Sequence, residues 1–231
     1  MSDGPFVLRH APAIDPRGQG RSSTTLEGND YVTHAHDIAD VIAQFDLSDI
    51  ALVGWSNGAL AAAYYADLYG HDRLRAFVDI DMPAMAVPRR EGDWAEVPEF
   101  GGFRDFLVPL TADPVAFREA MLGFFVQRDV SEDERHWLLS QMLSQAPFVG
   151  RLLLSDTLFY DVTDVFVRLA ARVPTLVAVR DAWGHKARRW LARTCPDARF
   201  AVFPGGHMFF WEDPVPFNAT LDGFLADAFT R

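Results

Sequence analysis

Three features of the sequence predict an α/β fold: a mostly parallel sheet with helices on both faces. Short apolar, β-branched runs alternate with helix-length amphipathic runs, the pattern of strand–helix–strand units. An apolar run, Ile50-Ala51-Leu52-Val53, enters Gly54-Trp55-Ser56-Asn57-Gly58 and then an alanine-rich stretch, which reads as strand, sharp turn and helix. Ser56, Asp181 and His207 each follow a strand-like run, in that order, and the carboxyl ends of strands are where such sheets gather reactive groups.

The elements follow along the chain. Residues 6–14 read as extended, interrupted by Pro12, and residues 15–23 form a polar, glycine-rich loop. Gly18-x-Gly20 is not a dinucleotide fingerprint, because the third glycine position holds Ser23 and no helical period opens there. Residues 31–45 carry Val32, Ile38, Val41, Ile42 and Phe45 at helical spacing. After the helix that follows Ser56, Gly70 is a stop, and residues 74–80 form the next strand, ending in Asp79-Ile80-Asp81. Residues 84–165 lack strand texture. They contain a loop over 88–102 and helical stretches over 114–127 and 132–145, with a further helix over 163–172. This predicts a helical insertion, with residues 1–83 and 166–231 forming the sheet domain. Strand texture returns at 175–179 and 200–203, separated by a helix over 185–193, and an amphipathic helix over 215–229 closes the chain.

Composition narrows the class. The 231 residues are 49% hydrophobic and 23% charged, ordinary for a chain that buries a core. A formal net charge of −11 opposes binding to nucleic acid or to an anionic membrane surface. No run approaches the roughly 18 apolar residues of a membrane span. The start lacks a signal-peptide pattern, so a cytoplasmic location is expected. The single cysteine, Cys195, forms no internal disulfide and no cysteine-based zinc site.

The candidate chemistry is nucleophilic. A serine hydroxyl is a poor nucleophile at neutral pH, and an imidazole can take its proton and hand it to the leaving group. A carboxylate then fixes the imidazole tautomer. Ser56 is the nucleophile candidate, and His207, after Gly205-Gly206, is the base. Asp181, at the end of the 175–179 strand, is the first choice of acid, and Asp81 is the alternative. Gly54 and Gly58 are read as positions where a Cβ would collide in the turn. The Asn57 N–H, in the first turn of the following helix, is the oxyanion donor. Trp55, Trp94, Phe103, Phe124, Phe125, Trp137 and Phe159 form the pool for an apolar substrate pocket, and the substrate is a small molecule. His34 and His36 read as surface residues, not as a metal pair.

These motifs together resemble the α/β-hydrolase superfamily, from Ala13 to the C-terminus. Asp15-Pro-Arg-Gly-Gln-Gly-Arg-Ser resembles its loop after the fourth strand, and Gly-Trp-Ser-Asn-Gly its nucleophile elbow. Pro174-Thr-Leu-Val with Arg-Asp resembles its acid strand, and Gly-Gly-His207 with Glu212-Asp213-Pro214 its histidine loop. The nearest subgroup is the cofactor-free esterase, lactonase and perhydrolase-like one. The resemblance implies a serine hydrolase of an ester, thioester or lactone that needs no cofactor and no metal, with residues 84–165 as a cap. It leaves open a non-hydrolytic tailoring enzyme (cyclase or cofactor-free dioxygenase-like) and a weakly catalytic ligand-binding relative. The family carries more strands before Asp15. Parallel neighbours need a crossover of about a dozen residues, so residues 6–14 supply one strand only. The chain is therefore expected to be naturally shortened or a truncated product, to lack the second oxyanion donor, and to form a homodimer through the edge at Phe6-Val7-Leu8.

Overall fold

The computed structural model describes residues 12–230. The strand and edge expected at Phe6 to Leu8 lie outside them, and Pro12 to Ile14 are irregular. Helix α1 spans Tyr31–Gln44 and strand β1 Ile50–Trp55. Helix α2 (Asn57–Tyr69) and strand β2 (Leu74–Ile80) follow. Five helices precede the next strand: α3 (Gly101–Ala112), α4 (Pro114–Phe125), α5 (Glu132–Ser144), α6 (Pro147–Asp156) and α7 (Thr163–Ala170). Then come β3 (Thr175–Arg180), α8 (Asp181–Thr194), β4 (Arg199–Phe203), α9 (Phe209–Glu212) and α10 (Pro214–Thr230).

The four strands are parallel and lie in chain order, β1-β2-β3-β4. Side chains alternate between two buried faces, as covered parallel strands require. Phe77, Val177 and Val179 face one way, into a core with Tyr31, Leu60, Phe166 and Trp190 from α1, α2, α7 and α8. Ala76, Val78, Ile80, Leu176 and Ala178 face the other, against Phe217, Phe224 and Leu225 of α10. Among the described residues β1 pairs only with β2. No described helix is long and apolar enough to cross a membrane.

The helical insertion leaves and rejoins the core through one narrow neck. Met85 and Asp161 form an antiparallel bridge, flanked by Ala86 N–H to the Tyr160 carbonyl (2.9 Å) and Val162 N–H to the Ala84 carbonyl (2.8 Å). Within the insertion, buried Arg118 of α4 donates to the carbonyls of Met142 (2.8 Å) and Pro114 (3.1 Å), tying α4 to the end of α5. Helices α3 and α6 form in stretches where the sequence predicts no helix. Pro147 in the first turn of α6 supplies a φ already suited to a helix start. His34 is buried against Tyr31, not on the surface, while His36 contacts the Tyr69 hydroxyl at 2.5 Å.

Glu96 lies at this neck, with its Oε2 sealed from solvent and without a hydrogen-bond partner among the described residues. Burial pushes its carboxyl up to about 7, partly offset by the neighbouring Tyr160 hydroxyl. A carboxyl raised in the folded state is most favourable below its unfolded value near 4.5, and stability falls as pH rises from there to about 7. Glu96→Gln is therefore expected to stabilise the fold at pH 8 by on the order of 2 kcal/mol and far less at pH 4.5, as read by urea melts at the two pH values.

Candidate active site

The elbow is built by β1 and α2. Ser56 adopts φ 52°, ψ −131°, a conformation that L residues hold only when the surroundings impose it. Its N–H is pinned to the Ile80 carbonyl at 2.8 Å, and its carbonyl accepts from Ala59 N–H at 2.8 Å. The two glycines are not equivalent. A Cβ on Gly54 would lie 2.4 Å from the Ala59 backbone, so the strand and helix approach each other only because position 54 is glycine. A Cβ on Gly58 would meet nothing within 4 Å, which corrects the expectation that both glycines relieve a clash. Asn57 opens α2, so its N–H is one of the free donors at the helix start.

The carboxylate that meets His207 is Asp81, the alternative, and not Asp181, the first choice. His207 Nδ1 is hydrogen-bonded to Asp81 Oδ2 at 2.6 Å, and both residues are buried. Asp181 is the first residue of α8 and its side chain is exposed. The reason is local. Strand β3 runs through Arg180 and α8 begins at once, so no loop exists to swing Asp181 back towards His207. Asp81 follows β2 in a left-handed turn (φ 58°), and its N–H is held by the Ala178 carbonyl (2.8 Å). Its Oδ1 accepts from Arg180 N–H at 2.9 Å. Asp79, also wholly buried, accepts from Met82 N–H (3.2 Å), which braces the turn carrying Asp81. Burial first, and the nearby Asp81 second, hold the Asp79 carboxyl well above the usual carboxylate range.

His207 is 4% exposed. Desolvation pulls its imidazole below the ordinary histidine value, Asp81 opposes that pull, and the charge of Arg180 adds to it. Four aromatic rings surround the imidazole: Phe124 (5.0 Å between centroids), Trp55 (5.1 Å), Phe125 (5.6 Å) and Trp183 (6.5 Å). The insertion also grips the histidine loop by its backbone. His207 N–H donates to the Phe124 carbonyl at 2.9 Å and Met208 N–H to the Phe125 carbonyl at 2.8 Å. Glu212 accepts from Gly206 N–H (2.5 Å) with one oxygen, and from Gln127 N–H (3.0 Å) and Arg128 N–H (2.8 Å) with the other.

The expected pocket residues divide. Trp55, Phe124 and Phe125 stand against His207. Trp94 is fully buried one layer back, edge-on to Trp183 and Trp190. Phe103 belongs to the core, whereas Trp137 (49% exposed, stacked on Trp211) and Phe159 (77% exposed, beside Phe100) lie on the surface. Those last three are corrected as pocket residues: none of them is in ring contact with His207, Phe103 being packed in the core, Trp137 on Trp211 and Phe159 on Phe100. Trp183, Arg180 and Glu212 were not singled out as site residues. Their one sequence signal is proximity to the strand end before Asp181 and to His207. A cavity of about 730 Å³ opens between α3 and α6, lined by Leu107, Val108, Phe148, Arg151 and Leu152 among others, but neither Ser56 nor His207 borders it.

A family model described as alpha/beta hydrolase fold matches residues 12–214. The chain belongs to the α/β-hydrolase fold family. A similar protein is the non-heme chloroperoxidase CPO-A1 of Kitasatospora aureofaciens, 39% identical over 92% of this chain and 81% of that protein. Another is the AB hydrolase superfamily protein YisY of Bacillus subtilis (strain 168), 29% identical over 91% of this chain and 79% of that protein. Among solved structures, a bromoperoxidase from Bacillus anthracis superposes with a TM-score of 0.82 at 23% identity, covering 91% of this chain and 79% of that one. An esterase from Exiguobacterium antarcticum gives 0.82 at 19% identity with the same coverage. These likenesses establish the α/β-hydrolase fold of the sheet and its flanking helices.

The elbow geometry makes a stability prediction. Gly54→Ala drives a Cβ into backbone and is expected to cost about 3 kcal/mol or more. Gly58→Ala, with open space and a helical setting, is expected to be neutral or stabilising by up to about 1 kcal/mol. Chemical denaturation of both variants measures the difference.

Proposed function

We propose that the chain is a serine hydrolase that cleaves a carboxylic ester, thioester or lactone through an acyl-enzyme, with Ser56 as nucleophile, His207 as general base and Asp81 as the orienting acid. The observation that carries this reading is the buried Asp81–His207 hydrogen bond, formed next to Ile80, whose carbonyl holds the N–H of an elbow serine in a strained turn. With Nδ1 committed to Asp81, Nε2 is the nitrogen left to take a proton. Ser56 Oγ attacks the carbonyl carbon as its proton passes to His207 Nε2. The tetrahedral oxyanion is stabilised by the Asn57 N–H at the start of α2. The intermediate expels the alcohol or thiol, which takes the proton from His207. Water, deprotonated by His207, then releases the acid and restores Ser56. The aromatic enclosure by Trp55, Phe124, Phe125 and Trp183 favours an apolar group beside the reacting bond and strengthens every charge interaction inside it. In this reading the insertion is a cap.

The similarity to a protein named as a chloroperoxidase favours a second reading of the same intermediate. Hydrogen peroxide in place of water would attack acyl-Ser56, giving a peracid and free serine. Comparing product from one ester with and without peroxide separates the two fates.

Three outcomes are expected. A fluorophosphonate labels Ser56, and Ser56→Ala abolishes both labelling and ester turnover; undiminished cleavage by Ser56→Ala removes the acyl-enzyme. Asp81→Asn folds but loses about 10⁴-fold in kcat, because the amide favours the wrong tautomer, whereas Asp181→Asn stays close to wild type; the reverse pattern reassigns the acid. Because His207 titrates below its ordinary value near 6.5, the acid limb of the kcat/KM profile should lie below that pH.

A further inference from the structure

Arg180 is the last residue of β3, and it is 7% exposed. Its guanidinium is sandwiched, with the carbon 4.3 Å from the Phe124 ring centre and 4.2 Å from that of Trp183. Both rings also border His207. The two faces of the cation are thus covered, one by the insertion and one by α8, and only its edge is left for a partner. That edge is poorly used. Arg180 Nε is sealed from solvent and has no hydrogen-bond partner among the described residues. The nearest carboxylate oxygen, Asp81 Oδ2, stands 3.7 Å away and is already taken by His207 at 2.6 Å. Asp181, the next residue, contributes at longer range from an exposed position. Burying an arginine without completing its hydrogen bonds is costly, and a planar fork fixed between two rings is shaped for a carboxylate in its plane.

The cation also works against the proposed chemistry. His207 must become an imidazolium during the reaction, and the Arg180 charge disfavours that form. An anion supplied by the substrate would satisfy the fork and offset the repulsion at the same moment. Support of Asp81 does not by itself call for the side-chain fork, since the Arg180 backbone N–H already holds Asp81 Oδ1.

We propose that Arg180 is the anchor of a carboxylate subsite, and that the substrate is an ester, thioester or lactone that carries its own carboxylate, as the half-ester of a short dicarboxylic acid does. The ester part of this assignment rests on the serine-hydrolase reading; the anion site does not.

The test compares monomethyl glutarate with methyl valerate, a neutral ester of the same chain length, by pH-stat titration of wild type, Arg180→Met and Arg180→Lys. Wild type should favour the charged ester in kcat/KM by about tenfold to a hundredfold, the worth of one charge-assisted pair. Arg180→Met should erase that preference, and Arg180→Lys should retain only part of it. Equal use of both esters by wild type, or a parallel loss on both in Arg180→Met, overturns the subsite. Should Arg180→Met fail to fold, the wild-type preference and the lysine variant decide. Calorimetric titration of glutarate into wild type and Arg180→Met separates the two readings. If neither ester is turned over, the hydrolase reading fails, while glutarate binding that weakens about tenfold or more in Arg180→Met still upholds the subsite. Absent or unchanged glutarate binding overturns it.

Discussion

The hydrogen bond between Asp81 and His207 is the interaction on which the rest of the site depends. Both partners are buried, and taking two such groups from water is repaid only when each finds good geometry. Asp81 achieves this with two oxygens on two different partners, His207 Nδ1 and Arg180 N–H. Each partner sits on a different part of the sheet. Asp81 follows β2, Arg180 ends β3, and His207 follows β4. The parallel register brings three strand ends to one place, and the Ser56 N–H bond to the Ile80 carbonyl ties the elbow of β1 to the same point. The fold and the site are one arrangement of strand termini.

The helical insertion is part of that arrangement. Phe124 and Phe125 supply rings beside the imidazole and carbonyls that hold the His207 and Met208 amides. A Cβ on Gly206 would lie 2.5 Å from the Phe125 carbonyl, so glycine there permits the approach. Glu212 closes the contact from the other side by accepting from Gln127 and Arg128. Movement of α4 away from the core would therefore release the histidine loop as well as uncover it. This gives the insertion a direct grip on His207.

Much of this was legible in the sequence, for identifiable reasons. Strand β2 matched its expected bounds, and β1 and α2 were legible because the Gly54 turn separates an apolar run from an alanine-rich one. Ser56 and His207 stood out through their glycine-rich contexts. The choice between Asp81 and Asp181 was not legible from motif order, because both follow a strand. Two local signals bear on it. Pro83, two residues after Asp81, disfavours helical backbone at Met82, so no helix runs on from Asp81 and a turn is left. After Asp181 the sequence runs 181–194 without a breaker other than Gly184, so the helix can begin at Asp181. Arg180 was hidden for another reason: its cation–ring sandwich joins α4 to α8 across more than fifty residues, a pairing no local pattern encodes. The surface positions of Trp137 and Phe159 show the converse, since aromatic content alone does not say which way a helix faces.

The central claim, that Asp81 and not Asp181 holds His207, is tested most directly by the proton between them. In ¹H NMR of the protein with ¹⁵N-labelled histidine, a buried Nδ1–H donated to a carboxylate gives a strongly deshielded, slowly exchanging imidazole resonance. The account predicts that this resonance is present in wild type and in Asp181→Asn and disappears in Asp81→Ala. Its survival in Asp81→Ala, or its loss in Asp181→Asn, would contradict the account.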